Sequence, residues 1–344
     1  MKQKSRTVTL KTIGDILGVK PTTVSKALRD ATDISEETRQ KVRQVAQQLG
    51  YRPNLMARSL AQKRSKMIGA IVPSFATSFY PEIIKGFYQQ AREKGYQLFL
   101  SFSNENEEIE RDSLEYFASL GVDGILISVT QTTTDTTLFE KLHQQGLPIL
   151  FYDRILEGLN VSSVISDDRN GAFQIVEHLI QIGKHQILFL GRTDYPSVCK
   201  YRYAGYQEAI RRNQLEEHAL SCDFNKDQAY RMTSNFIHLN QQKIDAIFCS
   251  NDLIAVGAYQ AICEAGLKIP ADIALTGFGD TVESLRYPLS LTTVNQPAFE
   301  MGEKAVEVLI EEINSVNEDY QPQQIVLDTK LVIRDSTDSS GTNW

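Results

Sequence analysis

From Met67 to Phe151, short apolar runs alternate with amphipathic stretches, and this alternation restricts the fold more than any other feature of the sequence. The runs are bulky and bounded by turn residues, and they occupy residues 68–72, 97–100, 124–127 and 148–151. Between them, apolar positions recur at helical spacing over residues 83–94, 109–120 and 138–145. Apolar strands separated by helices are typical of a parallel sheet buried on both faces. We therefore predict repeated strand–helix–strand units.

The same alternation continues toward the C-terminus. Apolar runs recur at residues 163–165, 187–190, 246–249 and 273–276, with helical patterns at 172–182, 203–212, 227–239 and 253–265. The hydrophobic content of 42% is enough for two or three packed domains, and the charged fraction of 23% is that of an ordinary globular protein. We predict an α/β fold with two doubly wound parallel-sheet lobes.

Polar side chains stand just beyond the predicted strands of both lobes. In open parallel sheets, ligands bind past the carboxyl ends of the strands. The candidates there are Ser74, Asp153, Arg154, Asn251, Asp252 and Asp280, with the aromatic pair Phe79-Tyr80 as a flat apolar wall. Carboxylates and amides suit a polyhydroxylated ligand, because each can form paired hydrogen bonds with adjacent hydroxyls. For Asp252 a simpler role is open, as the cap of the helix that it precedes.

The charge of the chain is divided unevenly. Residues 1–66 contain fifteen Lys and Arg and five Asp and Glu, a balance of +10, and the whole chain carries −7, which leaves −17 for residues 67–344. A basic segment joined to an acidic body is the pattern of a small DNA-contacting module attached to a domain that needs no polyanion. A solvated basic surface without a DNA partner would give the same charge balance. Sequence motifs are therefore needed to distinguish the two interpretations.

Three short helices are predicted within the basic segment. Thr9 can cap the first helix, which Gly18 ends. Pro21 suits the first position of the second helix, because it lacks the amide hydrogen that would be left unbonded there. Ser35 begins the third helix and Gly50 ends it. The separation of the first two helices is that of a helix-turn-helix, in which the second helix enters the major groove of DNA.

Four residues of the second helix are not needed for the small core, namely Thr22, Thr23, Ser25 and Lys26. Their hydroxyls and ammonium group can bond base edges or phosphates. Hydroxyls near a helix start are also common caps, and an exposed lysine is usually solvated, so each residue taken alone is ambiguous.

The chain resembles the lac repressor family in a series of runs at fixed spacing. These runs are Val8-Thr9-Leu10-Lys11, Gly18 to Leu28, Ile34 to Arg39, Gly50-Tyr51-Arg52-Pro53-Asn54 and Ala57-Arg58-Ser59-Leu60. The resemblance implies a three-helix helix-turn-helix domain over residues 1–53. It also implies that Pro21, Thr22 and Lys26 occupy base-reading positions, while Thr23 and Ser25 contact phosphates. Lys26 stands where the family often has arginine.

A hinge segment over residues 54–66 follows from the same resemblance. It implies a short helix that pairs with its dimer mate in the minor groove, where Leu60 would insert between base pairs and kink the duplex. So short a helix is marginal in isolation, and we expect it to fold only on DNA. The alternative is a plain linker, which Pro53 and the polar residues 62–66 would suit equally.

The resemblance also implies two lobes of the periplasmic-binding-protein-like type, residues 67–162 plus 292–322 and residues 163–291 plus 323–344. It places Asp153, Arg202 and Asn251-Asp252 along an effector cleft, and Phe79 and Tyr80 at positions that vary with the ligand. Many sugar-binding members have Gly-aromatic-Asp followed by Asp or Asn. This chain has Gly277-Phe278-Gly279-Asp280 instead and lacks the first carboxylate. The implied effector is a sugar, a nucleoside-like molecule or a phosphorylated metabolite.

Signatures of catalysis and metal binding are absent from the sequence. It has no G-x-x-x-x-G-K-[ST], H-E-x-x-H or G-x-S-x-G motif, and its cysteines lie far apart with no C-x-x-C, at Cys199, Cys222, Cys249 and Cys263. We expect reduced thiols, no metal and no cofactor. Residues 1–6 lack the apolar core of a secretory signal, and no run approaches about 18 apolar residues, so we expect a cytoplasmic protein without a membrane partner.

These features together predict a transcriptional regulator of the repressor type. An effector bound between the two lobes would control the affinity of a homodimer for a pseudo-palindromic operator in double-stranded DNA. The polar tail after Ile333 has no heptads, which favours a dimer over a tetramer. Two lobes alone would also allow a soluble sugar-binding protein, against which the basic segment argues. A sugar-metabolising enzyme would need an acid–base pair, and we find none.

Overall fold

The protein is described here from a computed structural model. The described residues are 8–51, 64–75, 77–239, 244–285, 290–315 and 320–338, and the chain divides into two compact units, Met1–Ser65 and Lys66–Trp344. The predicted hinge helix and its Leu60 lie outside the described residues. Within the described ranges, no helix has the length and apolar character needed to cross a membrane.

The first unit contains three helices, α1 (Leu10–Leu17), α2 (Pro21–Leu28) and α3 (Glu36–Gln48). The predicted signals are confirmed: Thr9 caps α1, Gly18 ends it with a φ of 66°, and Ser35 caps α3. The shared core consists of Ile13, Val24, Ala27, Val42 and Ala46. Since α1 and α2 are only eight residues each, this common core and not the single helices stabilises the unit.

Two parallel sheets and one antiparallel pair form the second unit. The strands are β1 (Met67–Val72), β2 (Gln97–Phe102), β3 (Gly124–Ile127), β4 (Ile149–Tyr152), β5 (Ser163–Ser166), β6 (Ile187–Leu190), β7 (His218–Leu220), β8 (Ala246–Cys249), β9 (Ala274–Thr276), β10 (Thr293–Asn295), β11 (Gln324–Leu327) and β12 (Lys330–Val332). One sheet has the order β11-β5-β4-β3-β1-β2 and the other β7-β6-β8-β9, with every pair parallel. Strands β10 and β12 pair antiparallel. The predicted α/β architecture with two parallel-sheet lobes is confirmed.

Helices cover both faces of each parallel sheet. They are α4 (Phe79–Glu93), α5 (Glu107–Leu120), α6 (Thr137–Gln144), α7 (Asp168–Gln181), α8 (Ser197–Arg212), α9 (Lys226–Leu239), α10 (Asp252–Glu264) and α11 (Ala298–Asn314), with a 3-10 turn at Val282–Leu285. The residues of β1 alternate between two cores: Ile68 packs under α4 and α11, and Ile71 packs under α5 and α6. This alternation is the period of two expected for a strand covered on both faces.

Helices α4 and α11 approach each other at two glycines. A Cβ on Gly86 would lie 2.2 Å from the carbonyl oxygen of Phe299, and a Cβ on Gly302 would lie 2.2 Å from that of Ile83. Only residues without a side chain allow the two backbones to come so close. The contact packs α4, whose first two residues are Phe79 and Tyr80, closely against α11.

The predicted division between the lobes is wrong for three strands. We placed residues 163–165 and 323–344 in the second lobe, but β5 pairs with both β4 and β11, so β5 and β11 complete the first sheet. We placed residues 292–322 in the first lobe, but Thr292 and Asn295 form bridges to Thr276 and Gly279, so β10 lies beside the second sheet. Apolar strand runs look alike in either lobe, and only their long-range pairing assigns them.

Candidate functional site

A cleft lies between the two lobes, at the carboxyl ends of their strands. Its cavity volume is about 90 Å³, which is below the range of about 300–1,000 Å³ typical of small-molecule pockets. Eight of the nine candidates named from the sequence line it, namely Ser74, Phe79, Tyr80, Asp153, Arg154, Arg202, Asn251 and Asp252. It is also lined by residues absent from that set, among them Glu105, Gln131, Phe224 and Gln296. The strand-end reasoning therefore finds the cleft but only part of its wall.

Asp153 lies on the floor of the cleft, directly after β4. Its backbone has a φ of 60°, and its carboxylate accepts a hydrogen bond of 2.8 Å from the hydroxyl of Tyr80. Tyr80 also lies 3.3 Å from the hydroxyl of Ser128. Burial raises the pKa of Asp153, and the neighbouring Arg154 opposes that rise. The result is a buried hydrogen-bond acceptor held in place by a tyrosine.

Arg154 is bound on one side and open on the other. Its Nη1 donates to both carboxylate oxygens of Glu105, at 3.0 and 3.1 Å, and to the carbonyl oxygen of Val129 at 3.2 Å. Its Nε is buried 3.9 Å from Asp153 Oδ2 and has no hydrogen-bond partner among the described residues. The guanidinium lies 5.1 Å from the ring centre of Phe224, which belongs to the other lobe. A buried donor without a partner beside a cleft is a natural contact for a ligand acceptor.

Arg202, from α8, is the second cation of the cleft. It donates to Asp168 at 2.8 Å, to the carbonyl oxygen of Ser250 at 2.8 Å and to Gln296 at 3.2 Å. Its guanidinium also stacks 4.0 Å from the ring centre of Phe278. Burial raises the pKa of Asp168 to about 6, and the charge of Arg202 opposes that rise. Arg202 thus joins four segments of the chain around one buried ion pair.

Asn251 and Asp252 have different roles from each other. Asn251 caps α10, with its Oδ1 accepting from the amide of Ile254 at 2.8 Å. Asp252 is the first helical residue, and it accepts from the amide and hydroxyl of Thr281 and from the hydroxyl of Thr293, at 2.8, 3.0 and 2.7 Å. Burial raises the pKa of Asp252 to about 6. The capping role that we left open for Asp252 therefore belongs to Asn251.

Asp280 does not lie in this cleft. It accepts a 2.6 Å ion-paired hydrogen bond from Arg334 and a 3.1 Å bond from the side-chain amide of Asn295, and its φ is 52°. It lines a neighbouring depression on the far side of Gly279 and Gln296. Its prediction as an effector contact in the cleft is therefore corrected.

On the first unit, the five described DNA-contact candidates all lie on α2. Pro21, Thr22 and Lys26 are exposed, whereas Thr23 and Ser25 are half-buried. The ammonium of Lys26 forms an ion pair with Asp33, which lowers the pKa of that carboxyl. The three exposed positions are those predicted to read bases.

Each of the two units matches a known sequence family. Residues 65–334 match the model of periplasmic binding proteins and the sugar-binding domain of the LacI family, and residues 9–54 match that of bacterial regulatory proteins of the lacI family. The chain belongs to the LacI family. The HTH-type transcriptional repressor PurR of Actinobacillus pleuropneumoniae serotype 3 is 30% identical to it, over 95% of this chain and 98% of that protein. The ribose operon repressor of Halalkalibacterium halodurans is 31% identical, over 96% and 97%.

Solved structures agree with this LacI-family assignment. The lac repressor dimer bound to operator and the anti-inducer ONPF superposes with a TM-score of 0.84 at 27% identity, covering 96% of this chain and 99% of that one. A periplasmic binding protein/LacI transcriptional regulator from Alkaliphilus metalliredigens, complexed with D-xylulofuranose, gives 0.69 at 27% identity over 80% and 100%. The protein is a DNA-binding transcriptional regulator, and three of the four relatives named here are repressors.

Proposed function

We propose that this regulator binds an uncharged, polyhydroxylated effector in the cleft, and that the effector sets the affinity of a cytoplasmic homodimer for a pseudo-palindromic operator. The α2 surface would read the bases of each half-site, and Leu60 would bend the centre. The relative from Alkaliphilus metalliredigens, which is complexed with D-xylulofuranose, supports an effector of this class.

The charges of the residues that line the cleft favour an uncharged effector. Its two lining arginines are already bound to carboxylates of the protein, Arg154 to Glu105 and Arg202 to Asp168. A phosphate group needs several charge-assisted donors that are not otherwise occupied. The polar groups of the lining also include the carboxylate of Asp153, the unpartnered Nε of Arg154 and the side-chain amide of Asn251. Such a set matches hydroxyl groups, each of which both donates and accepts.

The experiment couples two measurements on the full chain. Selection from a random DNA library should yield an inverted repeat, and binding to it is then measured with neutral sugars and with the same sugars phosphorylated. We expect a neutral sugar to raise the melting temperature and to change operator affinity by about 5–150-fold. Tighter binding of the phosphorylated forms would refute the effector class. Selected DNA without a repeated half-site would refute the regulator mechanism and favour a sugar-binding protein.

A further inference from the structure

Glu105 lines the cleft from the turn between β2 and α5. Asn104 and Glu105 both have positive φ, 50° and 56°, in a region that residues other than glycine seldom adopt. The amide of Glu105 donates to the carbonyl oxygen of Pro73 at 2.9 Å, and the next residue, Asn106, caps α5. Strained backbone of this kind persists where surrounding contacts hold it, and it is concentrated at functional sites. The turn therefore fixes the position from which the Glu105 side chain reaches the cleft.

The donors around the Glu105 carboxylate are those that bind a ligand carboxylate in other proteins. Arg154 Nη1 lies 3.0 and 3.1 Å from its two oxygens, and the backbone amide of Gln131 donates to Oε2 at 2.8 Å. The side chain of Arg154 is only 5% exposed and that of Glu105 is 24% exposed, so solvent screens the pair weakly. Charge-assisted bonds from guanidinium and backbone N–H groups are the strong ones for a carboxylate. Glu105 thus occupies an anion-binding position inside the cleft.

Other contacts hold these donors in place independently of Glu105. Arg154 also donates to the carbonyl oxygen of Val129, and the side chain of Gln131 accepts from the amide of Phe224 at 3.2 Å. The Nε of Arg154 is buried and has no hydrogen-bond partner among the described residues. Removal of the Glu105 carboxylate would therefore leave a set of placed donors without their acceptor, and a buried donor without a partner is costly.

The charge of the cleft also depends on Glu105. Among the described residues that line the cleft, Arg154 and Arg202 are cationic, and Glu105, Asp153 and Asp252 have carboxyl groups. When all five are ionised, two positive and three negative charges give the lining a charge of −1. An acidic ligand is then repelled and also finds Arg154 occupied. Without Glu105 the lining is neutral, and one side of the Arg154 guanidinium is open.

We infer that Glu105 is the residue that excludes acidic effectors from the cleft, because its carboxylate holds the position that the carboxylate of a sugar acid would take. The inference rests on the proposed function, since it concerns the selection between the neutral and the acidic form of a sugar. It assigns that selection to one side chain. Shortening Glu105 to alanine should open the anion-binding position and add space to a cavity of about 90 Å³.

The first measurement is the melting temperature of the full chain in sodium chloride, sodium acetate and sodium formate at equal concentration and pH. Acetate and formate should raise the melting temperature of Glu105→Ala by about 2 °C more than that of the wild type, in a saturable way, because a small carboxylate fills the opened position. Glu105→Gln should show no additional rise, since its side chain still fills the position. Glu108→Ala is the matched control, because Glu108 is an exposed glutamate of α5 and its removal changes the net charge equally.

The second measurement is calorimetry with glucose, galactose and mannose, each paired with its uronate. The wild type should bind a neutral sugar more tightly than the corresponding acid. In Glu105→Ala, the ratio of the two dissociation constants should shift toward the acid by at least about tenfold. Glu108→Ala should leave that ratio unchanged. Glu105→Gly, which suits the φ of 56°, should behave as Glu105→Ala does, and circular dichroism verifies which variants are folded.

Two results would overturn the inference and leave the proposed function intact, provided that a neutral sugar binds the wild type. One is an acetate effect that is absent from Glu105→Ala and Glu105→Gly or equally large in Glu108→Ala. The other is an unchanged ratio of dissociation constants. If no sugar binds the wild type or any variant, the proposed function fails and the selection assigned to Glu105 fails with it, whereas the acetate measurement still reports the anion-binding position.

Discussion

Glu110 gives the molecule a pH-dependent stability that a single substitution should remove. It lies in the first turn of α5, is 2% exposed, and accepts from the amide of Thr130 and the hydroxyl of Thr133, both at 2.8 Å. Burial raises its pKa from 4.5 to about 7, and these two hydrogen bonds only partly oppose the rise. Its carboxyl group therefore holds a proton at pH values where an exposed glutamate has lost it.

The size and sign of the effect follow from linkage. A pKa near 7 in the folded chain and near 4.5 in the unfolded chain differ by about 2.5, which at 1.36 kcal/mol per pH unit is about 3 kcal/mol. Because the folded pKa is the higher one, this stabilisation is complete below about pH 4.5 and is lost as the pH rises through 7. Glu110→Gln keeps the side-chain shape and an acceptor for Thr130, but it does not titrate.

Urea unfolding of both proteins, followed by circular dichroism from pH 4.5 to pH 8, measures the effect. The free energy of unfolding of the wild type relative to Glu110→Gln should fall by about 3 kcal/mol across that range. Glu115→Gln, at an exposed position of the same helix, is the control and should follow the wild type. Parallel curves for the wild type and Glu110→Gln would refute the reasoning.

Three further predictions concern the DNA surface and the cleft. Lys26→Ala should weaken binding to the selected operator by about 1–3 kcal/mol and binding to random DNA by little, as measured in a mobility-shift assay. Asp33→Asn should tighten operator binding, because it releases Lys26 from its ion pair. Equal losses of affinity for both DNAs on Lys26→Ala would make Lys26 a phosphate contact. Arg202→Met should lower the free energy of unfolding by about 3–5 kcal/mol, measured with urea, because it leaves Asp168 buried without its partner. Adding Asp168→Asn should recover part of that stability. Losses that simply add in the double variant would contradict a coupled ion pair. Asp153→Asn should weaken effector binding about tenfold in calorimetry with the melting temperature little changed, and unaltered affinity would exclude Asp153 as a contact.

Much of the fold can be predicted from local patterns in the sequence. Thr9, Gly18 and Ser35 are short-range signals, and each acts within three or four residues of its own position. The cleft residues at strand ends were predictable for a similar reason, since all parallel strands of a sheet end at one edge. These inferences need only the identity of each element, not its partner.

The predictions that failed concern residues whose partners are distant in the sequence. Asp280 has the composition and strand-end position of a ligand contact, yet Arg334, 54 residues further on, binds its carboxylate. Gln296 and Phe224 reach the cleft from the segments that follow β10 and β7, and no apolar run just before either residue marks a strand end. Arg154 was visible beside Asp153, but only the structure shows its unpartnered Nε.

The order of strands in the two sheets has a consequence for synthesis on the ribosome. Strands β6 to β9 are encoded without interruption by residues 187–276, whereas the first sheet needs β11 at Gln324–Leu327. At about 5–20 residues per second, some 3–10 s separate the emergence of the two last strands. During that interval the nascent chain carries β5 as an open sheet edge and α4 without the helix α11 that packs on it, so the six-stranded sheet, whose first strand is made first, is completed after the four-stranded sheet.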